Sequence, residues 1–184
     1  MQAILDACKN GSLLADPVVV ISNNSGSGAL ERAKKEGIPA MHLSGKTHPG
    51  VGALDRAILQ VLTGYRVDVV VLAGYMKKLG PETLQHYRGT MLNIHPALLP
   101  KFGGEGMYGM HVHRAVLDSG EKESGVTIHV VDENYDTGPI IAQERVPVLE
   151  ADTWESLAAR ILECEHRLYP ETLRRVANGE ITLP

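Results

Sequence analysis

The chain has 184 residues, enough to bury most of a core without disulfides or a structural metal. A formal charge of -4 leaves no basic footprint for DNA or RNA, and 4% aromatic residues are too few for a single-strand stacking platform. Cys8 and Cys164 form no CxxC pair and read as reduced thiols, no run reaches membrane-span length, and the first residues lack a signal peptide's pattern, so a soluble cytoplasmic protein is expected.

In chain order, "MQAILDACKNG" has helical spacing and a stop at Gly11. "PVVVIS" (17–22) is a β-branched run suited to a strand covered on both faces. "NNSGSG" then leads into a helix that ends at Gly37, followed by a strand over 38–43. A helix over 52–65 precedes "VDVVVLAG" (67–74), the strongest strand signal in the chain. Pro81 opens a helix over 80–89, "TMLNIH" (90–95) is strand, and "HVHRAVLDSG" is helix again. The runs 125–132 and 139–148, with only a loop between them, predict an antiparallel hairpin. A long amphipathic helix closes the chain, with Asp152 as expected N-cap and Glu155 at the capping-box position. The alternation predicts one α/β domain over 1–184: a Rossmann-like, mostly parallel wound sheet flanked by helices, with the hairpin toward the C-terminal part.

In such a sheet ligands sit beyond the carboxyl ends of the strands. "NIHP" puts Asn93 and His95 on one strand face, because side chains alternate, and Pro96 stops the strand at once. "VDENYDTGPI" crowds Asp132, Glu133 and Asp136 into a loop, with Asp136 expected in a strand-like segment just before Thr137. An aspartate beside a histidine favours the imidazolium, so the pKa of His95 is expected above its ordinary value. Asn, His and Asp together suit acyl transfer, with donors for an oxyanion and a carboxylate to organise protons. Neither motif supplies a nucleophilic Ser or Cys, so the nucleophile belongs to a substrate.

Two other patterns carry less. "ISNNSGSGAL" has the order of a phosphate cradle but lacks the Lys-Ser/Thr of a P-loop and the third glycine of a dinucleotide fingerprint, so it reads as a turn. His111 and His113 fall on different helix faces without a third ligand at suitable spacing, so no metal is expected.

With "VVVISNNSGSGALERAKKEGIP", "DVVVLAGYMKKL", "NIHPALLPKF", "DTGPII" and "EHRLYPETL", the chain resembles the phosphoribosylglycinamide formyltransferase family along nearly its whole length. The resemblance implies formyl transfer from 10-formyltetrahydrofolate to glycinamide ribonucleotide in purine biosynthesis, with Asn93, His95 and Asp136 catalytic. It implies folate contacts from Met76, Lys77, Lys78, Leu79 and Asn93, and from the loop containing Val131, Asp132 and Tyr135. Glu165, Gly74 and Pro96 are the implied glycinamide-side residues. Partners are then small molecules, with no nucleic acid or membrane, no metal, and a homo-oligomer left open. Members differ by carrying arginine where this chain has Lys77 and Val51, and some have a shorter loop at 102–113. They also have a strand and a glycine-rich phosphate loop ahead of the first helix, in which residue 1 here already lies. Formyltetrahydrofolate hydrolases, methionyl-tRNA formyltransferases and a non-catalytic folate-binding remnant are the alternatives. The first two carry an extra N-terminal or C-terminal domain respectively.

Overall fold

A computed structural model describes residues 1–184. Six strands and six helices follow one another as α1 (Gln2–Lys9), β1 (Val20–Ser22), α2 (Gly28–Lys35), β2 (Ala40–His42), α3 (Ala53–Gly64), β3 (Val70–Leu72), α4 (Pro81–His86), β4 (Met91–His95), α5 (Met110–Asp118), β5 (Glu123–Val130), β6 (Ile140–Pro147) and α6 (Trp154–Ala177). Each expected element is present, and most are shorter than the apolar runs that announced them. The valine runs enter their strands late, at Val20 in β1 and Val70 in β3.

β1 and β2 pair in parallel, as do β3 and β4, while β4–β5 and β5–β6 are antiparallel. The parallel portion, flanking helices and antiparallel hairpin are those expected of the α/β fold, with β3-β4-β5-β6 forming one hydrogen-bonded sheet. Adjacent residues of β4 point to opposite faces, and this divides the core. Met91 packs with Val70, Ile58, Leu62 and Leu79 under α3. Leu92 packs with Ile128, Val130, Tyr169 and Leu173 under α1 and α6. A third cluster, Val116, Val126, Val146, Leu157 and Ile161, joins α5 and α6 to the hairpin. The Tyr169 hydroxyl lies within bonding distance of the carbonyls of Leu92 (2.9 Å) and Leu72 (3.2 Å), which ties α6 to the first half of β4 and the last residue of β3.

The pair β1–β2 does not bond to the larger sheet. Between β1 and β3 lies an apolar slot of about 720 Å³, lined by residues such as Val19, Ile21, Val69, Val71, Ile4 and Leu173. Both facing strand edges are without a strand partner.

The start of α6 departs from the sequence reading, whereas α4 opens at Pro81 as expected. The N-cap of α6 is Thr153, whose side chain and that of Ser156 form the capping box, rather than Asp152 with Glu155. Asp152 instead accepts from the Leu149 amide and the Ser156 hydroxyl and forms a two-pronged ion pair with Arg160. The α4 start is capped from another helix: the carboxylate of buried Asp55 accepts from the backbone N–H groups of Glu82 (2.8 Å) and Thr83 (3.0 Å).

Candidate active site

Strand β4 delivers Asn93 and His95 to the same side, and β5 runs back beside it so that His129 stands opposite Asn93 in the register. The loop after β5 then turns Asp136 back over both. Asp136 is not in the strand-like conformation expected: its φ is +56°, in the left-handed region that aspartate tolerates better than most residues. That turn, rather than an extended approach, aims the carboxylate inward.

His95 is 3% exposed. Its Nε2 lies 2.8 Å from the Phe102 carbonyl, and its Nδ1 lies 3.5 Å from Asp136 Oδ2. The same Oδ2 accepts from the Gly104 amide at 3.0 Å. On the far side, Asp136 Oδ1 is 3.4 Å from His129 Nε2, which also sits 3.1 Å from Asn93 Nδ2. His129 Nδ1 is 3.0 Å from the Val130 carbonyl, an acceptor only, so Nδ1 carries a proton there. In the neutral ring Nε2 then accepts from the Asn93 amide, whose other N–H remains free for the cavity.

Charge follows from this packing. Burial lowers the pKa of His95 below its ordinary value, outweighing Asp136 and the Phe102 carbonyl, which raise it; His129 lowers it further. The sequence expectation of a raised value is thereby corrected: in a nearly dry site, desolvation of the imidazolium exceeds one carboxylate at 3.5 Å. For Asp136, burial pushes upward, but the nearby His129 and His95 rings and the Gly104 amide bring the net value below the usual carboxylate range. Both shifts favour a neutral imidazole beside an ionised carboxylate.

These groups line a cavity of about 1310 Å³. Every residue to which the sequence resemblance gave a catalytic or binding role reaches it. Gly74, Met76, Lys77, Lys78 and Leu79 form one wall beyond β3, although Leu79 is also buried in the core with Ile58 and Leu62. Val131, Asp132 and Tyr135 form another, next to Asn93, His95, Pro96 and Asp136. Asp132 is engaged locally, accepting from the Asn134 amide and the Thr137 hydroxyl, so it shapes the loop. The Lys78 ammonium sits 5.4 Å from the centre of the Tyr135 ring and bridges the two walls. Glu165 faces the cavity from α6, and burial raises its pKa to about 7, opposed by the terminal amine of Met1. Ser22, Asn23, Asn24 and Ser27 also reach the rim, where Ser27 caps α2. Val51 is fully exposed and away from the lining. His111 is exposed while His113 is buried, in keeping with different helix faces.

Sequence reasoning missed His129, Phe102 and Gly104. A histidine inside the apolar run "VTIHVV" is a usable signal, since a buried imidazole needs partners. The Phe102 carbonyl and Gly104 amide are backbone groups and leave no side-chain trace.

Comparison with known proteins agrees with the geometry. The family model described as formyl transferase matches residues 1–173. The chain is 45% identical over 179 residues to the chloroplastic phosphoribosylglycinamide formyltransferase of Arabidopsis thaliana, covering 97% of this chain and 61% of that protein. It is 38% identical over 183 residues to phosphoribosylglycinamide formyltransferase of Escherichia coli, covering 100% of this chain and 84% of that one. The crystal structure of glycinamide ribonucleotide transformylase 1 from Symbiobacterium toebii superposes with a TM-score of 0.92 at 43% identity, covering 100% of this chain and 84% of that chain. The chain thus spans less than two thirds of the plant relative and most of the bacterial ones. An Asn–His–Asp constellation at the carboxyl end of a wound sheet, and matches of this extent, have one reading: the chain belongs to the formyl transferase family.

Proposed function

We propose that this protein transfers a formyl group from 10-formyltetrahydrofolate to the amine of glycinamide ribonucleotide, a step of purine biosynthesis. The observation that carries the reading is the cluster of half-buried Asn93 and Asp136 with buried His95 and His129 lining a large cavity. It offers an amide donor, an imidazole and a carboxylate, but no side-chain nucleophile. The attacking atom is then the substrate's amine.

In the proposed reaction the amine nitrogen attacks the formyl carbon, and the carbonyl oxygen becomes an oxyanion. The free Asn93 N–H and the protonated form of His95 face that oxyanion, which exists only past the ground state. Asp136 stabilises the imidazolium and assists passage of the amine proton to N10 as the C–N10 bond breaks. The cosubstrate fits the cavity on chemical grounds: the walls at 76–79 and 131–135 present apolar surface beside the Tyr135 ring and exposed Lys77 and Lys78. Glu165, with Gly74 and Pro96, lines the part assigned to the glycinamide. The proposed partners are these small molecules. Both cysteines are free, which suits the reducing cytoplasm.

A hydrolase would use the same groups with water as nucleophile. The named relatives at 38–45% identity favour the amine acceptor. The test is a formyl-transfer assay with 10-formyltetrahydrofolate that compares glycinamide ribonucleotide with water. Formylated ribonucleotide supports the proposal, formate release without it supports hydrolysis, and neither product means a folate-binding protein without turnover.

A further inference from the structure

The turn at 102–104 touches both members of the His95–Asp136 pair with its backbone alone. Phe102 offers a carbonyl to His95 Nε2 at 2.8 Å, and two residues on Gly104 offers an N–H to Asp136 Oδ2 at 3.0 Å. We propose that this turn is a positioning device that dictates which nitrogen of His95 reacts: it keeps a proton on Nε2 and leaves Nδ1 as the nitrogen that gains and loses one. The proposal deepens the formyl-transfer reading and rests on it for its catalytic meaning.

A neutral imidazole has one N–H and one lone pair, and a peptide carbonyl only accepts. At 2.8 Å a lone pair on Nε2 would face the carbonyl lone pairs, so the proton stays on Nε2. The neutral ring then directs its Nδ1 lone pair toward Asp136 Oδ2, 3.5 Å away, and protonation puts the new N–H there. Because Nε2–H is already bonded to protein, proton exchange at His95 is confined to Nδ1, beside Asp136. The Gly104 amide meanwhile neutralises part of the Asp136 charge and fixes its orientation. The titratable groups around His95 are Asp136, His129 and His113, and none competes for Nε2.

The turn is built at a cost. Phe102 has a φ of +56°, a conformation disfavoured for a residue with a side chain, and Gly104 has a φ of +99°. Between them, a Cβ on Gly103 would lie 2.5 Å from Leu99 Cδ2 and 3.1 Å from Asp136 Cβ. The segment ahead of the turn is anchored by buried Thr127, whose hydroxyl donates to the Ala97 carbonyl and accepts from the Leu99 amide. Gln143 Nε2 bonds both that hydroxyl and the Leu99 carbonyl. Strain held by a satisfied network of this kind collects at sites where geometry is used.

Long-range proton–nitrogen NMR of the ¹⁵N-histidine-labelled full chain, without substrate, reads the tautomer of His95 directly. Assignment uses His95→Gln. Expected is a pyrrole-like Nε2 at every pH, with Nδ1 changing from pyridine-like to protonated as pH falls. A pyridine-like Nε2 in the neutral ring overturns the proposal. In Gly103→Ala, which pushes the turn away, the pure Nε2–H signature is expected to be lost. In Phe102→Gly, which relaxes φ and keeps the carbonyl, it is expected to persist. A folded Gly103→Ala protein with the wild-type signature would also overturn the turn's role; should that variant not fold, the wild-type and Phe102→Gly spectra decide. The formyl-transfer reading fails separately: an Nε2–H tautomer without formyl transfer removes the function and leaves the turn, and full transfer with the other tautomer does the reverse.

Discussion

Strands β4 and β5 and the β1–β3 slot are built from similar apolar runs, yet they end in different states. In the first region, Leu92 and Ile128 are fully buried, and each strand has hydrogen-bonded neighbours on both sides. In the second, Val19, Ile21, Val69 and Val71 are only half-buried, and β1 and β3 each bond to one neighbour while their other edges face the slot. A β-branched run thus specifies a strand but not its neighbours. The site sits on the completed region. Asn93 and His129 meet because β4 and β5 are locked in register, a precision that a half-paired strand would not supply.

The largest effect that separates the regions is chemical. His95→Ala and Asp136→Asn are each expected to lower turnover by about 10²–10³-fold, as for loss of a transition-state donor. Folate affinity should change little, because the charge both groups serve develops only during reaction. Steady-state kinetics with separate folate titrations decides this; a rise in KM alone would remove both residues from the chemistry.

Next comes packing. Leu92→Ala is expected to cost about 2–5 kcal/mol, whereas Val19→Ala in the slot should cost about 1 kcal/mol or less. Urea unfolding measures both. Equal losses would mean the slot is closed in solution.

Hydrogen exchange sharpens the same contrast without mutation. Val70 donates to Thr90 on the β4 side, so the amides of Val69 and Val71 point to the slot. They should exchange much faster than those of Leu92 and Ile128. Comparable protection would show that the slot edge is covered.

The smallest effect is a pH trend at Glu165. Its folded pKa of about 7 lies above its ordinary 4.5, so the folded state holds a proton that the unfolded state gives up. Stability from this group is therefore full below pH 4.5 and declines as pH rises toward 7. Glu165→Gln should flatten that decline, seen as a difference in Tm between the two proteins across the window. Parallel Tm curves would mean Glu165 titrates normally.

Much of this was legible in the residues. Element order, the paired Asn93 and His95, the stop at Pro96 and the loop carrying Asp136 all follow from period-two alternation and proline stereochemistry, which are local. The helix caps were less legible: Asp152 resembles an N-cap, but Arg160, eight residues on, claims its carboxylate and Thr153 caps instead. Asp55 caps α4 from 27 residues away, beyond any local pattern. The pKa of His95 was misread because the sequence reveals its charged neighbour but not the depth of its burial.

By itself the sequence determined that this is an α/β chain of the formyl transferase kind, with an amide, an imidazole and a carboxylate assigned to one end of a sheet, because side-chain chemistry and strand periodicity are written residue by residue. Tertiary structure alone decided that His129 joins them through antiparallel register, that burial lowers the pKa of His95, and that the Phe102 carbonyl and Gly104 amide hold the pair. The physical reason is that backbone donors and acceptors are the same in every residue, so only folding gives them a direction.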